Sequence, residues 1–335
     1  MTKRMFDTTC IGNAIVDVIS KADDSFLAQE GLTKNAMMLI DMARAEDLYA
    51  KMAVGIEMSG GSAGNTAAGV ASLGGKSAYI GKVRNDQLGT IFSHDIRASG
   101  VTFETTKSTD GAATARCLIL VTPDAHRTMN TYLGTCIELG PDDIDPEMIA
   151  ASKVTYMEGY LWDPENGKQA FRKAAEISHA AGQRVSLTLS DSFCVDRYRT
   201  EFQDFIKGGV DILFANEDEI KSLYETQDFD AAIAAVRDQV EIACVTRSEK
   251  GAMVLTETET HEIPADTDIE VVDTTGAGDL FAAGFLFGFT NDHDLAMSGR
   301  IGAMAAAEVI SHYGARPVVN LQELIQEKLA AASLY

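Results

Sequence analysis

The sequence predicts an α/β protein, a mostly parallel sheet flanked by helices that carries a small β-sheet as a lid. Three observations predict it. From residue 154 onward, short apolar β-forming runs alternate with stretches of helical period, as in a parallel sheet covered on both faces. Two separate regions, about 15–40 and 101–135, interrupt that rhythm with strand character. The length of 335 residues suits one large domain with a smaller attachment. The expected organisation is therefore one domain over 1–335, with the lid built from about 15–40 and 101–135.

Taken in order, 8–11 reads as a buried strand ending at Gly12, with 16–20 and 36–40 as further extended pieces. Small apolar residues over 65–73 give a close-packed helix, followed by a strand at 77–80 and a helix at 87–99. Residues 101–135 alternate β-formers with polar residues around Gly111, Pro123-Asp124 and Gly134, the pattern of a short antiparallel sheet. The βα rhythm then gives strand 154–157, helix 166–181, strand 184–188, helix 199–207, strand 211–214, helices 217–224 and 229–238, and strand 241–246. A hairpin at 246–256, a strand at 269–272 and helices at 278–289, 295–313 and 320–333 complete the chain. The two β-rich inserts can pair as one lid over the carboxyl edge of the sheet, where ligands of open α/β sheets sit.

Composition narrows the function. A net charge of −22 and a pI near 4.6 argue against nucleic acid and against an anionic membrane surface, both of which need a basic face. An anionic ligand must then be held by local devices, since the overall field repels it. Cys10, Cys117, Cys136, Cys194 and Cys244 form no Cys-x-x-Cys and are expected to be reduced, buried thiols in a cytoplasmic protein. The segment 1–7 has no long apolar region, so no signal peptide is expected, and no run of 18 apolar residues exists to span a membrane. The six histidines lack metal spacing.

The strongest motif is Asp273-Thr274-Thr275-Gly276-Ala277-Gly278-Asp279, a Gly-rich turn between an apolar β-forming run and an apolar helix. Glycines 276 and 278 let backbone N–H groups approach a ligand, and the helix N-terminus adds about half a positive charge. Such an anion hole suits charge on transferring phosphoryl oxygens, and Asp279 beside it could accept a proton from a hydroxyl. The helix dipole is expected to lower the pKa of Asp279, which a loose transition state tolerates. The same segment also reads as a helix start with Gly for packing and Asp for the dipole. It is no dinucleotide fingerprint, because Phe281 stands at the third position. The stretch 70–77 is no P-loop, because it lacks the first Gly and runs from helix to strand.

Four further segments carry polar groups at strand ends. In Gly60-Gly61-Ser62-Ala63-Gly64-Asn65, exposed amides and Asn65 suit a polyol, although a capped turn reads equally well. Asn13 and Asp17 follow the first strand, where Asp17 could clamp two adjacent hydroxyls or close an Asx turn. Asn216-x-x-Glu219 could meet Mg²⁺ through water or form a helix capping box. In 245–252, Thr246 and the Gly251 backbone could meet a nucleotide phosphate, or simply turn a hairpin.

Together these segments resemble the ribokinase-like (PfkB-type) carbohydrate kinase superfamily, over essentially the whole chain. The resemblance implies a Rossmann-type domain with a β-lid, ATP as donor and Mg²⁺ as cofactor, with K⁺ bound in parts of the family. It implies Asp279 as the base and Gly276, Ala277 and Gly278 as the anion hole. It places Asn216, Thr246, Ser248, Gly251 and Thr275 around ATP, with Glu219 near Mg²⁺. The Gly-Asn-x-x-x-Asp opening looks like the adenosine kinase branch. There the equivalents of Asp17, Gly61 and Asn65 hold ribose hydroxyls; Asn13 and Ser62 join this set, and Tyr160 is a candidate to flank the base. Arg127 in the lid is expected either to neutralise phosphoryl charge or to be solvated. The expected activity is phosphorylation of a nucleoside 5′-hydroxyl, with a free sugar as the alternative acceptor and a non-catalytic nucleotide sensor as a third reading. A monomer or homodimer is expected.

Overall fold

A computed structural model describes residues 6–332 apart from 125, 267 and 268. The larger sheet has nine strands, in the spatial order Thr260–Ile263, Ala252–Leu255, Ile242–Thr246, Ile212–Asn216, Arg184–Thr188, Ser152–Glu158, Phe6–Ile11, Ser77–Ile80 and Thr102–Phe103. All neighbours pair in parallel except at the Thr260–Ile263 edge, where the last two pairings are antiparallel. Successive side chains serve opposite faces. Ile212, Phe214, Ile242 and Cys244 pack on one side with the helices Ser62–Ser72 and Ala277–Thr290. Leu213, Ala215, Ala243 and Val245 pack on the other with Glu165–Ala180 and Ser192–Gly209. Burial on both faces explains why these strands read as continuous apolar runs. All five cysteines are buried and free.

The smaller sheet has the order Met37–Leu39, Arg127–Tyr132, Ala115–Val121, Ile15–Lys21 and Gly55–Gly60. It differs from the sequence expectation in three ways. Gly55–Gly60 adds an edge strand, and Thr102–Phe103 pairs instead with Ser77–Ile80 in the large sheet. The sheet is also mixed: Ile15–Lys21 runs parallel to Ala115–Val121, and Met37–Leu39 parallel to Arg127–Tyr132. Ile15–Lys21 and Ala115–Val121 both leave the carboxyl edge of the large sheet and run outward, so they share a direction. The helix Met42–Lys51, capped by Asp41 and burying Ala45 and Leu48, is an element beyond those expected.

The expected strand at 269–272 is absent among the described residues. Thr260–Ile263 takes the sheet edge instead, and Val271 is 59% exposed. The amides of Val272 and Asp273 both donate to the Ile310 carbonyl, at 2.8 and 3.2 Å. Strand propensity yields here to tertiary context.

The helix Ala277–Thr290 is held in place by close packing against Leu295–Ile310. A Cβ on Gly284 would stand 2.6 Å from the Gly302 Cα. Gly284→Val should therefore lower stability by about 1–3 kcal/mol, as overpacked cores do. Chemical denaturation checks this, and an unchanged midpoint would contradict the close packing.

Candidate active site

The carboxyl ends of the parallel strands bring Asn13, Glu158, Thr188, Asn216 and Thr246 to the wall of one cavity of about 1180 Å³. Every residue singled out from sequence lines it, except Arg127. Arg197 is the sole basic residue among the described lining residues, against carboxylates that include Asp17, Glu158, Glu219 and Asp279.

The signature turn needs its glycine. Gly276 caps the helix Ala277–Thr290 with φ +80, and a Cβ there would lie 2.9 Å from the Ala315 Cα. The Ala277 amide donates to the Thr274 carbonyl at 3.2 Å. Among the described residues nothing accepts from the amides of Gly276, Gly278 or Asp279, so these are the N–H groups open to an anion. The Thr275 hydroxyl and amide both donate to Asp273 Oδ1, at 2.7 and 3.1 Å, so this side chain faces into its own turn.

Asp279 is partly buried and accepts two short bonds. Ser62 Oγ donates to Oδ1 at 2.6 Å and Asn65 Nδ2 to Oδ2 at 2.9 Å. Both donors sit in the first turns of Ser62–Ser72, which starts at Gly61 with φ +87, where a Cβ would fall 2.2 Å from the Asn13 carbonyl oxygen. The dipole argument predicted a lowered pKa, but the carboxyl is raised. Enclosure by protein is the largest cause, and it outweighs the bonds from Ser62 and Asn65 and the charge of Arg316.

Beside Asp279 lies a set of oxygen acceptors. Asn13 is buried, with Nδ2 donating to Glu158 Oε1 at 3.0 Å and Oδ1 lacking a partner. Glu158 Oε2 accepts from the Ala63 amide at 2.8 Å, and burial pushes Glu158 up to about 7. Burial also raises Asp17 to about 6 against the opposing charges of Arg316 and Arg127, and no described residue donates to its carboxylate. The chain passes Asp17 so closely that a Cβ on Gly60 would stand 2.3 Å from its Oδ2. Tyr160, Phe193, Met37, Leu39 and Leu133 add apolar surface to the same cavity. The Tyr160 hydroxyl donates to the Ser190 carbonyl at 3.3 Å, which leaves its ring for the cavity.

In the same cavity, Asn216 and Glu219 form the capping box in full. The Asn216 amide and Nδ2 donate to Glu219 at 2.9 and 2.6 Å, and the Glu219 amide donates to Asn216 Oδ1 at 2.8 Å. Glu219 still lines the cavity, and burial raises it to about 7. The Gly251 amide donates to the Ser248 carbonyl at 3.0 Å, so it is spent on the hairpin and is not open to a phosphate. No group of three or more His, Cys, Asp or Glu suited to a metal occurs among the described residues. Arg127 is neither solvated nor aimed at the cavity. It is buried and ion-paired with Asp273, whose Oδ2 also accepts from the Gly314 amide at 3.1 Å. A buried guanidinium takes the nearest buried carboxylate.

Glu158, Phe193 and Arg316 belong to this site and were not singled out from sequence. Glu158 had a usable signal, since it ends the strand Ser152–Glu158 as Asn13 follows Phe6–Ile11. Phe193 and Arg316 had none.

A carboxylate and open helix-start amides at the carboxyl edge of an α/β sheet suit transfer of a phosphoryl group to a hydroxyl. Residues 7–321 match the family model described as "pfkB family carbohydrate kinase", and the chain belongs to that family. Two solved structures are each 53% identical to it, with a TM-score of 0.91 over 97% of this chain and 99% of theirs. One is an adenosine kinase from Sinorhizobium meliloti, the other a "probable sugar kinase protein" from Rhizobium etli. A curated relative, "Probable fructokinase-3" of Arabidopsis thaliana, is 27% identical over 72% of this chain and 71% of its own.

Asp279 can accept a proton only while ionised, that is, above its pKa. Because that pKa is raised, activity should fail on acidification at a higher pH than an ordinary aspartate would impose. Asp17 near 6 and Glu158 near 7 set the window, taking up protons as pH falls from about 7 toward 5. The expected outcome is a fall in kcat/KM for the acceptor as pH drops from about 7 toward 5. A profile flat across that range would show that acceptor turnover needs neither Asp17 nor Glu158 ionised.

Proposed function

We propose that this chain transfers the γ-phosphoryl group of ATP to the 5′-hydroxyl of a nucleoside, with adenosine the best-fitting acceptor. The observation that carries the reading is the two-part wall beside Asp279. Asn13 Oδ1 and the Asp17 carboxylate offer acceptors for sugar hydroxyls, and the apolar side chains of Tyr160, Phe193, Met37 and Leu39 in the same cavity suit a flat apolar base. The cavity exceeds the roughly 300–1,000 Å³ of a single-ligand cleft, as a two-substrate site requires. The similarity to the Sinorhizobium meliloti adenosine kinase supports the same reading.

In this mechanism the acceptor hydroxyl lies against Asp279, which orients it and takes its proton late, while the transferring group is loosely bonded to both oxygens. The open amides of Gly278 and Asp279 and the helix N-terminus stabilise charge on the phosphoryl oxygens. Ser62 and Asn65 hold the Asp279 carboxylate in place. ATP lies toward Asn216, Thr246 and Ser248. Glu219 fits a water-mediated contact to Mg²⁺, being a buried cavity carboxylate with lone pairs left beyond the capping box, and that ion supplies charge neutralisation at the phosphates. The smaller sheet acts as a lid, with Arg127 clamping it to Asp273.

A free sugar is the second reading. Glu158 adds a buried polar group to the acceptor end, and the Rhizobium etli and Arabidopsis thaliana proteins carry sugar kinase names. An acceptor panel of adenosine, ribose and fructose with ATP and Mg²⁺, read by ADP release, separates the two. Adenosine is expected to exceed either free sugar at least about tenfold in kcat/KM, a margin that a site built around the base's contacts supplies. Turnover of ribose or fructose without turnover of any nucleoside would sink the nucleoside reading. Asp279→Asn should lower kcat by about 10²–10⁴-fold with ATP binding retained. Turnover within about tenfold of the parent would mean that Asp279 is not the base.

A further inference from the structure

Arg316 lies outside every motif discussed from sequence, yet it sits two hydrogen bonds behind the proposed base, with Asn65 between them. Its segment contacts the signature turn at two successive residues, and the third reaches the Ser62–Ser72 helix. The Gly314 amide donates to Asp273, Ala315 packs where Gly276 has no side chain, and Arg316 reaches Asn65, whose amide donates to Asp279. Arg316 Nε donates to Asn65 Oδ1 at 2.8 Å, and Nη2 donates to Ser59 Oγ at 3.1 Å. Ser59 spends its own hydroxyl hydrogen on Asp95 Oδ2 at 2.6 Å, so it can only accept from Arg316. Nη1 is buried without a partner.

The direction of every bond in this chain is forced. A guanidinium only donates, so the Asn65 oxygen must face Arg316 and the Asn65 NH₂ must face Asp279. An asparagine amide can otherwise turn over at little cost. Turned over, Asn65 would set its oxygen against an Asp279 oxygen, which either repels the carboxylate or requires it to be protonated. Ser62 fixes the second carboxylate oxygen in the same sense.

We propose that Arg316 is the positioning residue of the phosphoryl-acceptor step: it fixes the Asn65 amide so that Asn65 donates to Asp279 and holds that carboxylate toward the acceptor. The inference rests on the reading of Asp279 as the base. The charged and titratable groups around the pair are several. Asp95, Asp17, Tyr79 and Asp279 face Arg316, and Asp17, Glu158, Glu219 and Tyr156 couple to Asp279. Against those carboxylates Arg316 is the cation that acts on Asp279, and its charge pulls the Asp279 pKa down. Removing it raises that pKa, so the ionised base is lost at a higher pH.

The test compares R316Q and R316K with the parent protein, using the acceptor that the panel identifies. R316Q is expected to lose about 10-fold or more in kcat and to move the acid limb of kcat upward by about half a pH unit or more, with ATP affinity unchanged. R316K keeps the charge but lacks the planar fork whose separate nitrogens meet Asn65 and Ser59. It should keep the acid limb in place while losing about fivefold in kcat. A merely structural arginine would lower the melting temperature and leave both the limb and the kcat of folded protein unmoved, which overturns the proposal. Should R316Q fail to fold, R316K decides alone, and parent-like kcat in R316K overturns it. Asp279→Asn keeps the two readings apart. If that variant is dead while the R316 variants behave as the parent, the base stands and the positioning role falls. If it stays active, the base itself is wrong.

Discussion

The site depends on one constraint: a carboxylate must stay ionised and correctly aimed inside a cavity already crowded with carboxylates. Asp279 lies at a helix N-terminus, which favours negative charge, yet enclosure raises its pKa. What opposes that rise is a set of fixed donors. Ser62 and Asn65 each take one oxygen, and Arg316 stands behind Asn65. The parallel sheet supplies the rigidity, because it fixes where Ser62–Ser72 and Ala277–Thr290 begin relative to each other. Gly69 marks how tightly those helices meet, since a Cβ there would fall 2.6 Å from the Ala283 Cβ.

The same crowding shapes how an anionic substrate can enter. The chain carries −22 overall, and Arg197 is the sole basic residue among the described ones lining the cavity. Arg127 and Arg316 are set behind the wall, each committed to protein partners. Attraction for phosphate must then come from backbone amides at the turn and from a metal brought with the nucleotide. Keeping the guanidinium groups behind the wall leaves their charge acting on Asp17 and Asp279. In the proposed mechanism the cations tune carboxylates, and the amides hold phosphate.

Legibility in the sequence followed how local each determinant is. The βα alternation was readable because strands buried on both faces must be apolar along their whole length. The Gly-rich turns at 61 and 276 were readable because a positive φ and a close backbone approach leave few alternatives to glycine. These turns, with Asn13, Asp17, Asn216 and Thr246, come together in one cavity. The run 269–272 misled, because β-forming residues do not reveal that another segment has taken the sheet edge. The pKa direction of Asp279 was unreadable, since enclosure depends on neighbours far away in the chain. Arg316 and Glu158 were missed for the same reason, as each acts through partners more than ninety residues distant, Arg316 through Asn65 and Glu158 through Ala63. Glu219 shows the opposite case, where a local capping box and a place at the cavity wall coexist in one side chain.

A crystal structure with adenosine, Mg²⁺ and a non-hydrolysable ATP analogue tests the central claim most directly. The account predicts the 5′-hydroxyl within hydrogen-bond distance of an Asp279 oxygen, the γ-phosphate at the amides of Gly278 and Asp279, and the purine against Tyr160 and Phe193. A 5′-hydroxyl turned away from Asp279, or a γ-phosphate held elsewhere than at the signature turn, would contradict it.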